Sequence, residues 1–169
     1  MERIARFEFV SAGRFEADWR EAFGDAACPR DALRLPKRAT AGSAGYDFFA
    51  PAGFALDPGG TVKIPTGVRA VIRPGWVLML FPRSGLGFRY RLQLNNTVGV
   101  IDADYAGADN EGHIFVKLTN AGDRSLAVKA GEAFAQGVFL PFGITEDDEA
   151  GGRRSGGFGS TDTMAHTEG

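Results

Sequence analysis

The sequence predicts a mainly β protein, built as a sandwich, a jelly roll or a barrel. Between about residues 40 and 143 it contains many short segments rich in β-branched and aromatic residues. Turn-forming residues separate these segments, as at 57–60 and 73–75. Glycine accounts for 24 of the 169 residues without a short repeat, which indicates tight turns and close backbone approach to a ligand.

The first 38 residues differ from this pattern and predict a helical N-terminal extension. Phe15, Trp19 and Phe23 recur at a spacing of four with charged residues between them, as on one face of an amphipathic helix. Gly24 and then Pro29 are expected to end the helix. We expect it to pack on the outside of the domain and to carry no chemistry.

The β-rich core is expected to span residues 39–145. Its clearest predicted strands are 61–65, 68–72, 76–81, 113–118 and 133–140. The remaining segment, 146–169, begins with an acidic loop and has almost no core-forming residues. Such a tail is usually a frayed terminus. Its cations, hydroxyls, glycine amides and single aromatic residue are also suited to phosphate and base, and therefore predict a mobile lid arm.

Composition and charge exclude several classes of protein. The formal net charge of −2 gives no basic field for nucleic acid. The longest apolar run, 76–81, is too short to span a bilayer, and no signal peptide is recognisable. The single cysteine, Cys28, has no disulfide partner and is expected to be a half-buried thiol. We expect a cytoplasmic protein with neither a nucleic-acid nor a membrane partner.

Five short motifs carry the chemistry: AGSAGYDFFA (41–50), PRSGLGF (82–88), NNTVGVIDADYAG (95–107), GEAFAQGVF (131–139) and RRSGGFGST (153–161). Together they resemble the trimeric dUTPase family, in its own chain order. Each motif alone is weak, but five in order over residues 36–163 are specific. The resemblance implies a dUTPase-like distorted jelly roll, or β-clip. It also implies hydrolysis of dUTP to dUMP and pyrophosphate, which keeps uracil out of DNA and supplies dUMP for thymidylate synthesis.

A triphosphate requires cations and donors that absorb its negative charge in the transition state. Arg83 offers a planar fork of donors, Ser84 a hydroxyl, and Gly85 close backbone approach, although Arg83 could also be a surface turn residue. The resemblance assigns these three residues to phosphate binding. It also assigns Gln136 to the α-phosphate, whereas Gln136 alone would be interpreted as a polar strand residue.

The aspartate of IDADY is the candidate catalytic residue. Asp102 follows an apolar run and is expected at a strand end, where a carboxylate can take a proton from water. Asp is equally common in glycine-rich turns. The resemblance makes Asp102 the general base and leaves Asp104 structural. It also puts the ring of Tyr105 against the sugar, where the ring would exclude a ribose hydroxyl.

The segment 95–101 is expected to be a hairpin that reads uracil. Its main-chain groups, including those of Val100 and Ile101, can pair with the base edge, and a tight hairpin excludes a thymine methyl group. Asn96 matches the family's asparagine, although asparagine is also common in hairpin turns.

The expected cofactor is Mg²⁺, held by substrate phosphates and water because the sequence has no cluster of protein ligands. By resemblance Asp47 lies near the metal and acts through water, although it could equally cap a turn. The two histidines, His113 on a predicted strand and His166 in the tail, are given no role.

The fifth motif completes the site by resemblance. Arg153, five residues before Phe158, is expected to bind phosphate, and Phe158 to stack on uracil. Gly159, Ser160 and Thr161 would wrap the phosphates. In this family the arm crosses to a neighbouring subunit, so the expected assembly is a homotrimer with shared sites.

Several positions depart from the family pattern. Residues 108–112 resemble a short insertion that places an acidic loop near the trimer surface, and the N-terminal helix is additional to the minimal core. Ala133 and Phe134 replace a basic–aliphatic pair, which puts a salt bridge in doubt. Asp162 stands where glycine is usual and is expected to point away from the phosphates or to weaken lid binding.

Two other functions are alternatives to hydrolysis. A dCTP deaminase or bifunctional deaminase–dUTPase has the same fold but lacks the IDADY aspartate, and usually lacks the glycine-rich arm. A non-catalytic regulator would bind a partner through its loops, at the acidic run 146–149 or at the insertion. An intact set of Asp102, Tyr105 and Phe158 favours hydrolysis.

Overall fold

In a computed structural model of the protein, residues 2–152 are described and form a mainly β fold with two α-helices. The helices are α1 (Ala12–Phe23) and α2 (Ser84–Tyr90). The strands are β1 (Ala5–Phe9), β2 (Lys37–Arg38), β3 (Tyr46–Phe49), β4 (Phe54–Leu56), β5 (Thr61–Pro65), β6 (Val68–Ile72), β7 (Trp76–Pro82), β8 (Leu92–Leu94), β9 (Gly99–Ile101), β10 (Phe115–Asn120), β11 (Leu126–Val128) and β12 (Ala133–Pro141). The mainly β prediction is confirmed.

The described strands form four antiparallel sheets, of which the largest carries most of the candidate site. Its order is β2-β3-β12-β7-β9, and β12 pairs with β7 from Ala135↔Pro82 to Pro141↔Trp76. The other three sheets are β5-β10-β8, β1-β6 and β11-β4. Because β9 is an edge strand of its sheet, one side of its backbone is left open by the described strands.

The main core lies between the sheets and is built from alternate residues of the strands. Leu78 and Leu80 of β7, Phe48 of β3 and Phe134 of β12 are each at most 1% exposed. Burying one such side chain stabilises the fold by about 1.5–3 kcal/mol. Phe134 also contacts Phe54 edge-on, with ring centroids 6.0 Å apart. The unusual fourth motif therefore contributes an apolar core residue.

The N-terminal segment contains the predicted helix and, before it, a strand that the sequence analysis missed. The Ser11 hydroxyl caps α1 by accepting from the Arg14 N–H, and Gly24 ends the helix with a φ of 61°. The apolar stripe of α1 packs in a second, smaller core, which Cys28 joins as a half-buried thiol whose pKa is raised by burial. Strand β1 pairs with β6 and thus ties the segment to the main fold.

Two other local expectations were wrong. The predicted 95–101 hairpin is a tight turn between strands of different sheets, because β8 pairs with β10 and β9 pairs with β7. His113 lies two residues before β10 rather than on it. In addition, α2 begins inside the PRSGLGF motif, and the sequence does not predict it because the motif's glycines disfavour helix.

Candidate active site

Three of the predicted site residues meet on the central strands of the large sheet. We call Asp47, Arg83 and Gln136 the Arg83 cluster. Asp47 of β3 lies opposite Gln136 of β12, which in turn lies opposite Phe81 of β7, two residues before Arg83. The Arg83 Nε lies 3.4 Å from Asp47 Oδ1, and the Gln136 amide donates to the Pro82 carbonyl at 3.2 Å.

The Arg83 cluster has the charge and exposure of an anion site. The Arg83 side chain is 43% exposed, so its guanidinium is accessible to solvent as well as to Asp47. Asp47 is more deeply placed, at 18%. A phosphate approaching from solvent would thus meet an arginine held in place from behind by a carboxylate.

Gly45 lies beside this cluster, and the sequence alone does not identify it as a site residue. A Cβ at Gly45 would lie 2.8 Å from Oε1 of Gln136, so a larger residue would displace the glutamine side chain. Ser84 and Gly85, at the start of α2, are both exposed beside Arg83. A Cβ at Gly85 would meet no heavy atom within 4 Å, so space for a ligand remains open there.

Asp102 and Tyr105 lie together on the turn after β9, which we call the Asp102 turn (residues 102–107). The Tyr105 N–H donates to the Asp102 carbonyl at 3.2 Å, and a 3₁₀ turn spans Tyr105–Gly107. Tyr105 is only 2% exposed in the single chain. Asp102 is half-buried, whereas Asp104 is exposed.

The predicted base-reading residues form an exposed edge. Val100 is 47% exposed and Ile101 1%, so β9 turns one side chain to solvent and the next into the core. Asn96 is exposed in the preceding turn, where Thr97 has a φ of 65°. The open backbone side of β9 can offer N–H and C=O groups to a base.

The Arg83 cluster and the Asp102 turn lie far apart within one chain. Ile101 of β9 pairs with Leu78 of β7, so Asp102 lies beside Val77, near the start of β7. Gln136 of β12 pairs with Phe81, near the end of β7. Four residues of β7 span about 13 Å, and β12 and β9 flank β7 on opposite sides, about 10 Å apart. The side chains of Asp102 and Gln136 are therefore too far apart within one chain to contact a single phosphate group.

The remaining predictions concern the arm and the metal. Arg153, Phe158, Gly159, Ser160 and Thr161 lie outside the described residues. Within residues 2–152, no three carboxylate, histidine or cysteine side chains come together as a metal site. This donor set does not fit a metal bound by protein ligands alone, but Asp47 beside Arg83 fits a cation that arrives with phosphates and keeps water ligands. No helix in the described part of the chain is long and apolar enough to cross a membrane.

The chain is similar to dUTPases in both sequence and structure. The dUTPase family model matches residues 31–162. The deoxyuridine 5'-triphosphate nucleotidohydrolase of Lactococcus lactis is 43% identical over 132 residues, which cover 76% of this chain and 88% of that protein. The dUTPase crystal structure from Streptococcus mutans matches with a TM-score of 0.62 and 37% identity, over 83% of this chain and 98% of the other.

A third match supports the fold alone. The dUTPase of Staphylococcus bacteriophage 80alpha, solved with dUPNHPP, has a TM-score of 0.61 and 22% identity, over 94% of this chain and 98% of that one. The matched family range contains the described site residues from Asp47 to Gln136. The chain therefore belongs to the dUTPase family and is an enzyme that hydrolyses dUTP.

Proposed function

We propose that the enzyme acts as a homotrimer in which each site combines the Arg83 cluster of one chain with the Asp102 turn of a neighbour. The observation that carries this proposal is the separation of the two groups along β7, because both must address one phosphorus atom. C₃ symmetry repeats such a shared site three times. The arm of the third chain, with Arg153, Phe158, Gly159, Ser160 and Thr161, closes over it.

Asp102 takes a proton from a water molecule, whose oxygen attacks the α-phosphorus of dUTP. The bond from that phosphorus to the bridging oxygen of the β-phosphate breaks, leaving dUMP and pyrophosphate. Arg83, Ser84, Gly85 and Gln136 hold the phosphates through charge and hydrogen bonds. The backbone of Val100 and Ile101, with Asn96, reads uracil, and the Tyr105 ring lies against the deoxyribose.

Mg²⁺ is the proposed cofactor, with Asp47 acting on it through water. When bound with the triphosphate, it supplies positive charge that neutralises the phosphate oxygens. The proposed place of action is the cytoplasm. There the reaction keeps uracil out of DNA and supplies dUMP for thymidylate synthesis.

Complementation between two inactive variants tests the shared site. Asp102→Asn and Arg83→Ala should each be inactive as homotrimers. When the two variants are unfolded together in equal amounts and refolded, about a quarter of all sites combine an intact Arg83 with an intact Asp102. We expect about a quarter of the parental dUTP turnover.

The control carries both substitutions in one chain and is mixed with either single variant. In the mixture of the double variant with Arg83→Ala, no chain has an intact Arg83. In the mixture with Asp102→Asn, no chain has an intact Asp102. Neither mixture should therefore regain activity. No recovery in the mixture of single variants, with trimers verified by light scattering, would mean that each site lies within one chain.

A further inference from the structure

The Asp102 turn is backed by the segment 108–113, which packs directly on its main chain. A Cβ at Gly112, whose φ is +70°, would lie 2.6 Å from the Ala106 Cα and 2.7 Å from the Tyr105 carbonyl oxygen. Asn110 donates to the Tyr105 hydroxyl, which itself donates to the His113 carbonyl, both at 2.8 Å. A movement of the segment therefore moves Tyr105 and the turn that it shares with Asp102.

Helix α1 holds the same segment from the other side. The Glu111 carboxylate accepts from the Ser11 N–H at 2.7 Å and from the Ser11 hydroxyl at 2.6 Å. His113 Nδ1 lies 2.5 Å from Asp18 Oδ2, and the Gly67 N–H donates to His113 Nε2 at 2.8 Å. The Ser11–Glu111 and Asp18–His113 contacts join residues about a hundred positions apart in sequence. The 108–112 segment is thus tied to the start of α1 through Glu111. That it places an acidic loop near the trimer surface remains a prediction.

The His113–Asp18 contact has one defined geometry because its groups are buried and matched. His113 is fully buried and Asp18 is 4% exposed. Arg14 balances the Asp18 charge, with its Nε donating to Oδ2 at 2.9 Å. Removing one member of such a set leaves a buried polar group or charge without its partner, which resists rearrangement. The set is therefore stiff enough to transmit the position of α1 to the segment 108–113.

We infer that α1 is part of the catalytic apparatus: Ser11, Asp18, Asn110, Glu111 and His113 are positioning residues that hold the Asp102 turn. This inference rests on the proposed function, in which Asp102 and Tyr105 contact substrate. Helix α1 lies outside the range matched by the family model, 31–162, so the inference extends the active site beyond that core. All five residues belong to the chain that carries the turn, and their effect needs no partner subunit.

Two variants test the inference at different steps of the network. Glu111→Ala removes the contacts to Ser11, and Asn110→Ala removes the contact to the Tyr105 hydroxyl. Hydrogen exchange of amides 102–107 should become faster in both variants, while exchange in β7 and β12 remains parental. We expect kcat/KM for dUTP to fall about three- to tenfold, because small misplacements of catalytic groups are costly. Glu111→Gln, which keeps one acceptor oxygen, should recover part of the loss.

Two controls separate positioning from general destabilisation. Arg30→Ala breaks the exposed ion pair between Arg30 and Glu16 of α1, and Val128→Ala trims a core residue of β11. Both should keep the parental kcat/KM at 25 °C, even where Val128→Ala lowers Tm as much as the network variants do.

The inference is overturned if Glu111→Ala and Asn110→Ala keep parental exchange at 102–107, or keep parental kcat/KM. It is also overturned if Val128→Ala loses as much kcat/KM for the same fall in Tm. Parental turnover of dUTP in Asp102→Asn would contradict the proposed function instead. In that case the exchange measurement still decides whether α1 holds the turn.

Discussion

At the scale of single residues, the sharpest prediction concerns Asp102. Asp102→Asn keeps the size of the side chain but cannot accept the proton of the attacking water. We expect kcat for dUTP to fall by about 10²–10⁴-fold, with nucleotide binding largely kept. Asp104→Asn is the matched control, since Asp104 is exposed two residues away and should retain parental turnover. Parental turnover in Asp102→Asn would assign the base to another group.

His113 gives a prediction on stability. The Gly67 N–H donates to Nε2, so Nε2 is unprotonated and Nδ1–H donates to Asp18. Burial is the main cause that lowers the pKa of His113, and the positive charge of Arg14 lowers it further. Asp18 and Glu111 have the opposite effect on this pKa. The folded protein therefore keeps His113 neutral at pH values where the unfolded chain, with a histidine pKa of about 6.5, already takes up a proton.

The free energy of unfolding should accordingly be greatest above pH 6.5 and fall as the pH decreases below it. A difference of one bound proton between the unfolded and folded states changes the free energy of unfolding by at most about 1.4 kcal/mol per pH unit. Denaturant titrations at pH 7.5 and 5.5 would measure the fall, and His113→Gln should reduce it. The lowered pKa values of Glu8 and Glu111 act at more acidic pH, below the ordinary glutamate value, where their stabilising contributions are lost. If the free energy of unfolding falls equally between pH 7.5 and 5.5 in His113→Gln, groups other than His113 cause the fall.

At the scale of elements, the arm is the segment to test first. Deleting residues 151–169 should leave the fold and the trimer intact, because the last described strand ends at Pro141. Turnover should fall by orders of magnitude, since Arg153 and Phe158 would no longer cover the substrate. In Phe158→Trp, emission should change with a non-hydrolysable dUTP analogue and Mg²⁺, and much less with dUMP. A truncated protein that turns over dUTP at the full rate would remove the arm from the mechanism.

The elements that the sequence predicts are those with a strong local pattern. The stripe of Phe15, Trp19 and Phe23 and the stop at Gly24 predict α1, and β-branched runs predict β5, β6, β7 and β12. Helix α2 escapes prediction because two glycines lie inside a seven-residue helix and give it a low helix propensity. The turn at 95–98 resembles a hairpin locally, but distant strands decide which partners β8 and β9 take.

The predicted site residues follow the same rule. Arg83, Asp102 and Gln136 are recognisable because each lies in a short motif whose neighbours carry information. Contacts of long sequence separation leave no such signal: Glu111 with Ser11, and His113 with Asp18, are pairs that only the folded chain brings together. For that reason the sequence leaves His113 without a role and α1 without chemistry.

At the scale of the whole molecule, the end of β12 supplies a surface for the proposed trimer. Leu140 in β12 and, just after the strand, Phe142 and Ile144 occupy every second position and are 44%, 50% and 74% exposed in the single chain. Apolar side chains exposed in a row are typical of subunit contacts. The double substitution Phe142→Asp and Ile144→Asp should shift the trimer towards monomers and lower activity at low protein concentration.

Light scattering over a dilution series would measure this shift. Thr145→Asp adds a charge at an exposed polar position of the same segment and should leave the trimer unchanged. A double variant that stays trimeric across the dilution series would place the subunit contact on another surface.

The length of β7 also has a consequence for inheritance. If the two ends of this strand serve different sites, a gene copy damaged near Arg83 and another damaged near Asp102 should rescue each other in one cell. Two copies damaged at the same end should not. Loss-of-function alleles of this single gene would then fall into complementation groups, as if the gene were several, and the boundaries between the groups would follow the geometry of a β-strand.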